Sequence, residues 1–332
     1  MKSSLFVKHL CEKKLMLPPL TGFTDYPYRT ILADFAPPSL TTEMINARAL
    51  LHKNPRTLRM IKRVPGSLFQ GVQLLGKDPP IMAQAAKMVE DLEFDYIDIN
   101  MGCTIKKVIS RGEGVALMND EQQACDVLKA VSDAVDIPVT VKLRTGPSKK
   151  EISVLSLSEK LVDAGAVALI VHGRSGEKKF SSHVDLATIG DVVKSVSVPV
   201  IANGGIFSGA DAKAVLSFTG AAGVMPGRGL IGNPWLVSEI CCELAGKRFS
   251  FPTLFERKRV CARHADRLCS YYGEQRGVLR MRKILPRYFS STIYLKELKL
   301  DVQRITNKSD VAMILARITE RGSQWWYARN SS

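Results

Sequence analysis

The chain has 332 residues, 45% hydrophobic and 24% charged, and a formal net charge of +15. That balance is globular and excludes wholesale disorder, and no apolar run approaches the ~20 residues that span a bilayer. Residues 1–14 hold only a short apolar stretch and no small-residue cleavage signature, so no secretory signal is expected. Seven cysteines, an odd number with no CxxC pair, argue against a disulfide framework, and the dispersed histidines argue against a metal site. A reducing, cytoplasmic setting fits best, with no membrane partner and no obligate protein partner.

Short β-rich apolar runs recur at 15–19, 39–43, 67–74, 96–100, 139–144, 168–172, 198–203 and 223–225. Amphipathic stretches lie between several of them, at 81–92, 121–135, 154–164 and 209–218, and Gly165 and Gly220 fall where helix C-caps belong. Buried strands alternating with helices predict parallel βα units. Eight such units over about 240 residues predict a (β/α)8 TIM barrel. The rival, an open doubly wound sheet, normally carries a glycine fingerprint after its first strand, and none is present. Beyond residue 246 the runs stop and helical patterning takes over, at 254–271, 277–285, 295–307 and 310–322, punctuated by Pro252 and Pro286. The expected organisation is a barrel over 1–245 followed by a small all-helical domain over 246–332.

The charge divides along the same line. Residues 246–332 hold 19 Lys and Arg against 7 Asp and Glu, a net +12, which leaves +3 for the rest. A basic segment on a near-neutral body suggests a polyanion, nucleic acid ahead of a membrane surface; a solvated helical face explains it equally well.

Chemistry in such a barrel sits at the C-terminal ends of the strands. Gln73, Asn100, Lys142 with Arg144, His172 and Asn203 end five consecutive runs. Packing alone explains this poorly, because buried polar groups need partners. Asn203-Gly204-Gly205 follows the seventh run and Gly227-Arg228-Gly229 the eighth; these loops are the recurrent phosphate site of the fold, where glycines admit an anion to the backbone N–H groups and Arg228 adds a charged fork. Lys142, on a very apolar strand, calls for an anionic partner, either a carboxylate or a ligand such as a reduced flavin. His172 is placed to donate to the same ring. Cys103 lies in the long loop after the fourth run, and a thiol of ordinary pKa near ~8.5 is protonated at neutral pH and can act as a general acid.

Seven motifs in order resemble those of the tRNA-dihydrouridine synthase family. The first is Pro18-Pro19-Leu20-Thr21-Gly22-Phe23-Thr24-Asp25 with Tyr28-Arg29. Then come Val72-Gln73-Leu74-Leu75-Gly76, Ile97-Asp98-Ile99-Asn100-Met101-Gly102-Cys103 and Val141-Lys142-Leu143-Arg144-Thr145-Gly146. Val171-His172-Gly173-Arg174, Ile201-Ala202-Asn203-Gly204-Gly205-Ile206 and Gly227-Arg228-Gly229 complete the series. The resemblance implies an FMN-dependent barrel enzyme, with NADPH as electron donor, that reduces the C5=C6 bond of uridine in RNA, most often tRNA. It implies that Pro18, Pro19 and Leu20 line the flavin and that Gln73, Lys142 and His172 hold its ring. Asn203, Gly204, Gly205, Gly227 and Arg228 would hold its tail, Cys103 would donate the proton, and Asn100 and Arg144 would contact the substrate.

Two positions depart from the family pattern. Thr104 stands where proline usually follows the catalytic cysteine, which leaves the loop freer, and Pro226 replaces an aliphatic residue beside the phosphate loop. Two rival readings follow: a flavin barrel acting on a small molecule, in the manner of a dihydroorotate dehydrogenase, and an RNA-binding protein with an inactive barrel.

Overall fold

The computed structural model describes residues 2–66, 69–147, 154–177, 183–289 and 295–318. Seven parallel strands, β1 (Leu40–Asn46), β2 (Gln70–Leu75), β3 (Tyr96–Met101), β4 (Val139–Arg144), β5 (Ala168–His172), β6 (Val200–Asn203) and β7 (Gly223–Met225), pair in sequence order. Between the strands run helices that include Pro79–Asp91, Glu121–Ala134, Val154–Asp163, Leu186–Ser195 and Gly209–Thr219. Gly220 ends the last of these in the left-handed conformation at φ 68°, as a C-cap requires.

The first apolar run closes the barrel without becoming a strand. It forms one parallel bridge, Leu15 with Val224, through Met16 N–H to Val224 O (3.0 Å) and Val224 N–H to Lys14 O (2.9 Å). On its other flank Thr41 Oγ1 donates to Leu17 O at 2.9 Å. Pro18 and Pro19 lack the N–H groups that would extend a ladder, so a side chain does the joining. Eight runs thus make seven strands and one bridging segment.

Alternation along the strands sorts the interior into two ends. Outward residues such as Ile97, Ile99, Val141, Leu143, Leu169 and Val171 are fully buried in the main core with the helices. The lower barrel interior is apolar: Tyr96, Ala168, Ile170, Ile201 and Met225 form a second cluster with Phe6 and Leu10. Those two come from a helix, Lys2–Lys13, that plugs the bottom. The inward positions nearer the C-terminal strand ends are polar.

The chain then continues through helices Leu254–Tyr272, Glu274–Tyr288, Leu295–Gln303 and Lys308–Arg317. Pro286 does not end the second of these; the helix runs through it to Tyr288. So close to the C-terminus, its missing N–H removes one bond from the last turn only. The run expected over 67–74 begins at Gln70, with residues 67–68 outside the described residues, and the end of the helix expected over 310–322 lies outside them too. Tyr28 stacks on the buried His264 with ring centroids 4.9 Å apart, and His264 Nδ1 meets Tyr288 Oη at 3.1 Å, which fixes these helices to the barrel. Among the described residues no helix is long and apolar enough to cross a membrane, and no cluster of ligating side chains could hold a metal ion.

Thr41 Oγ1 also meets Tyr96 Oη at 2.7 Å. Thr41→Val keeps the shape and removes the donor to Leu17 O, while Tyr96 Oη keeps its bond to Leu40 O at 3.3 Å, so a loss of about 1–3 kcal/mol is expected. Urea unfolding checks this; an unchanged midpoint would show that closure does not depend on the hydroxyl.

Candidate active site

The inward polar residues converge on one cavity of about 540 Å³ at the C-terminal ends of the strands, within the usual range for a cofactor site. All fourteen residues singled out from the sequence line it: Pro18, Pro19 and Leu20 from the bridging segment, Gln73 from β2, Asn100 and Cys103 from β3 and its loop, Lys142 and Arg144 from β4, His172 from β5, and Asn203, Gly204, Gly205, Gly227 and Arg228 from β6, β7 and their loops. Sequence reasoning missed Arg174, Phe207 and Arg287, which also line it. Arg174 lies two residues past a strand end and was visible within its motif; Arg287 comes from the helix Glu274–Tyr288 and had no local signal.

A chain of hydrogen bonds crosses the strands beneath the thiol. Thr140 Oγ1 donates to Asp98 Oδ1 at 2.8 Å, Gln73 Nε2 donates to Asp98 Oδ2 at 2.6 Å, and Asn100 Nδ2 donates to Gln73 Oε1 at 2.8 Å. Asn100 Oδ1 then accepts from the backbone N–H groups of Gly102 (3.1 Å) and Cys103 (2.9 Å). Arg144 Nε donates to Gly102 O at 2.7 Å, and Val115 N–H donates to Cys103 O at 3.0 Å. The expected long loop is therefore tied at several points and contains two short helical turns, Lys106–Ile109 and Gly114–Asn119. These bonds place Cys103 without the proline that Thr104 replaces. Asn100 and Arg144 act first on the loop; one Nδ2 proton and one guanidinium nitrogen remain for other partners.

On the other side, Lys142 Nζ donates to Asn203 Oδ1 at 2.9 Å, and Asn203 Nδ2 donates to Met225 O at 2.7 Å. Arg174 approaches His172 Nε2 at 3.2 Å. A guanidinium only donates, so Nε2 accepts and the imidazole proton sits on Nδ1. Gly204 and Gly205 have φ of 121° and 75°, where side-chain-bearing residues are strained. A Cβ at Gly204 would stand 3.1 Å from the His172 ring.

The electrostatics are one-sided. Five cationic side chains line the cavity, Lys142, Arg144, Arg174, Arg228 and Arg287, with no carboxylate among its described lining residues. Burial, then the charges of Lys142, Arg144, Arg174 and Arg228, push His172 down to about 2, so it is neutral. Burial first, then Arg144, lowers Lys142, with Asp98 opposing. Burial raises Asp98, against the hydrogen bonds from Gln73 and Thr140. Burial also raises the Cys103 thiol, while the Ile105 backbone and Arg144 pull it down. The mouth thus offers a protonated thiol, a neutral imidazole and, in Lys142, Arg144, Arg174 and Arg228, the cations that act on that imidazole, around glycine-lined loops, which together fit an anionic, phosphate-bearing cofactor.

A parallel barrel with its polar side chains gathered at this end is an enzyme architecture. It is similar in fold to histamine dehydrogenase from Rhizobium sp. 4-9, with a TM-score of 0.53 and 13% identity over 77% of this chain and 49% of that one. A family model described as dihydrouridine synthase matches residues 16–321. The chain is 34% identical over 313 residues to a probable tRNA-dihydrouridine synthase of Rhodobacter capsulatus, covering 93% of this chain and 96% of the relative. It is 34% identical over 317 residues to tRNA-dihydrouridine synthase B of Pseudomonas putida, covering 95% and 94%. The chain belongs to the dihydrouridine synthase family. It is an oxidoreductase, and membership implies a flavin enzyme.

Because burial lifts the Cys103 thiol, its alkylation by iodoacetamide, which needs the thiolate, should accelerate only above the ordinary thiol range of about 8.5. Peptide mass mapping across a pH series measures this. Half-maximal labelling at or below that pH would show that burial does not raise the thiol.

Proposed function

We propose that this enzyme reduces the C5=C6 bond of uridine in tRNA to 5,6-dihydrouridine in the cytoplasm, with FMN as its flavin and NADPH as electron donor. The observation that carries the reading is the single cationic cavity lined by all fourteen expected residues, Cys103 included. When bound, the reduced flavin supplies hydride to C6 of the uracil.

The residues divide the remaining work. Pro18, Pro19 and Leu20 form an apolar wall that would receive the flavin ring. Lys142, oriented by Asn203, would meet negative charge on that ring, and neutral His172 and Gln73 would complete its polar contacts. Asn203, Gly204, Gly205, Gly227 and Arg228 take the tail and its phosphate; nothing lies within 4 Å of where a Cβ would stand on Gly227, so an anion can reach its backbone. Cys103 would deliver a proton to C5, and the thiol's raised pKa keeps that proton in place at neutral pH. Asn100 and Arg144 carry the cysteine loop and offer their remaining donors to the uracil.

A uridine must leave its stack to enter the mouth, at a cost of a few kcal/mol. The excess of +12 over residues 246–332 supports a role for that helical part in holding the RNA backbone and offsetting this cost. We therefore read residues 1–245 as the catalytic unit and residues 246–332 as the RNA-binding unit. The names of the relatives, which specify tRNA, support the substrate.

The test is a purified, yellow holoenzyme given NADPH and unmodified tRNA transcript, with dihydrouridine measured by mass spectrometry. Cys103→Ala should keep the flavin absorbance and lose turnover by roughly 10²–10⁴-fold, the usual worth of a general acid. A loss under tenfold would remove the thiol from the reaction, and a protein that stays colourless with FMN would remove the flavin.

A further inference from the structure

The helix Glu274–Tyr288 carries five cations, and the fold uses them in two ways. Arg280 pairs with Asp25 at 3.3 Å, and Arg282 donates from Nε and Nη2 to Ile305 O at 3.0 and 2.6 Å. These two are half-buried and join the helix to its surroundings. Arg276, Lys283 and Arg287 are exposed and make no ion pair or hydrogen bond among the described residues. At 3.6 residues per turn the three fall on one face, and the stripe spans about 16 Å.

The stripe has a direction, because Arg287 lines the catalytic cavity and packs against Gly232. Among the described lining residues no other comes from beyond Ile231. Its position is held by a backbone contact: a Cβ on Gly232, which has φ of 68°, would stand 2.6 Å from Arg287 Cβ and 2.7 Å from Tyr288 N. Tyr28 Oη donates to Leu230 O and Tyr288 is fully buried, so the loop and helix end are anchored on both sides. A basic stripe in solvent therefore ends on an arginine whose backbone is anchored at the mouth of the reaction cavity.

We propose that Arg276, Lys283 and Arg287 form a phosphate track that leads the RNA strand to the cavity, and that Arg287 binds the backbone phosphate next to the uridine being reduced. This rests on the uridine-reductase reading above. RNA is favoured over the cofactor's own phosphate because Arg287 is exposed at the rim and continues a solvent-facing stripe. The glycine loops and Arg228 are already assigned to the cofactor's phosphate in that reading. A planar fork at the last position suits a phosphate that must be held in register while its base turns inward.

The test compares holoenzyme with R287Q, R287K and the double variant R276Q/K283Q. Three quantities are measured: FMN affinity by flavin fluorescence, equilibrium binding of unmodified tRNA transcript at a series of salt concentrations, and steady-state kinetics. R287Q should keep wild-type FMN affinity and flatten the slope of log K against log salt by about 0.7–0.9, the value of one phosphate. Its KM for tRNA should rise about three- to tenfold at physiological salt. R287K should keep the wild-type slope, and R276Q/K283Q should lose about twice the slope of R287Q. An unchanged slope in R287Q, or a loss of FMN affinity in that variant, overturns the proposal; the latter would place the guanidinium on the cofactor. Wild-type protein that holds FMN yet converts no uridine would instead sink the functional reading itself.

Discussion

The mouth of the barrel gathers positive charge, with Lys142 and Arg144 drawn out of solvent, and supplies no carboxylate on the described lining to answer it. Like charges in a medium of low polarisability repel strongly, and the effects are visible in the side chains themselves. His172 is held neutral, Lys142 is pushed toward deprotonation, and Asn203 offers an amide oxygen where a carboxylate would have ended the imbalance. The arrangement becomes favourable when an anion enters. Binding energy then comes from relieving repulsion as well as from forming new contacts, and an occupied mouth stabilises the fold by mass action.

The rest of the fold serves that mouth. The N-terminal helix seals the lower barrel with Phe6 and Leu10, so solvent reaches the interior from the upper end. Asp98, buried below the cavity, organises the line through Gln73 and Asn100 to the cysteine loop. The same carboxylate opposes the lowering of Lys142 by burial and Arg144. One buried acid thus bears on the thiol's placement and on the lysine's charge, and the two halves of the site are physically linked through β2, β3 and β4.

Much of this was legible in the sequence because period-two alternation is a strong signal. A polar residue at the end of an apolar run, repeated over Gln73, Asn100, Lys142, His172 and Asn203, can be read without coordinates. The glycine pairs after β6 and β7 are equally plain, since only a turn or an approaching ligand needs them. What escaped depends on tertiary placement. Residues 15–19 look like a strand, but their prolines leave a bridge; Pro286 looks like a stop, yet it falls where a helix loses little by it. Asp98 is one inward residue among apolar neighbours, and only the cross-strand register shows what it joins. Arg287 stands about sixty residues beyond β7, and nothing in its local sequence says that its helix folds back over the cavity.

If the mouth is built around a phosphate-bearing flavin, then the phosphate must matter to binding on its own. The direct measurement is titration of flavin-free protein with FMN and, separately, with riboflavin, which has the same ring and no phosphate. The charge and loop geometry predict that FMN binds at least about a hundredfold more tightly, the worth of two or so charge-assisted hydrogen bonds. Equal affinities, or no binding of either, would contradict the account.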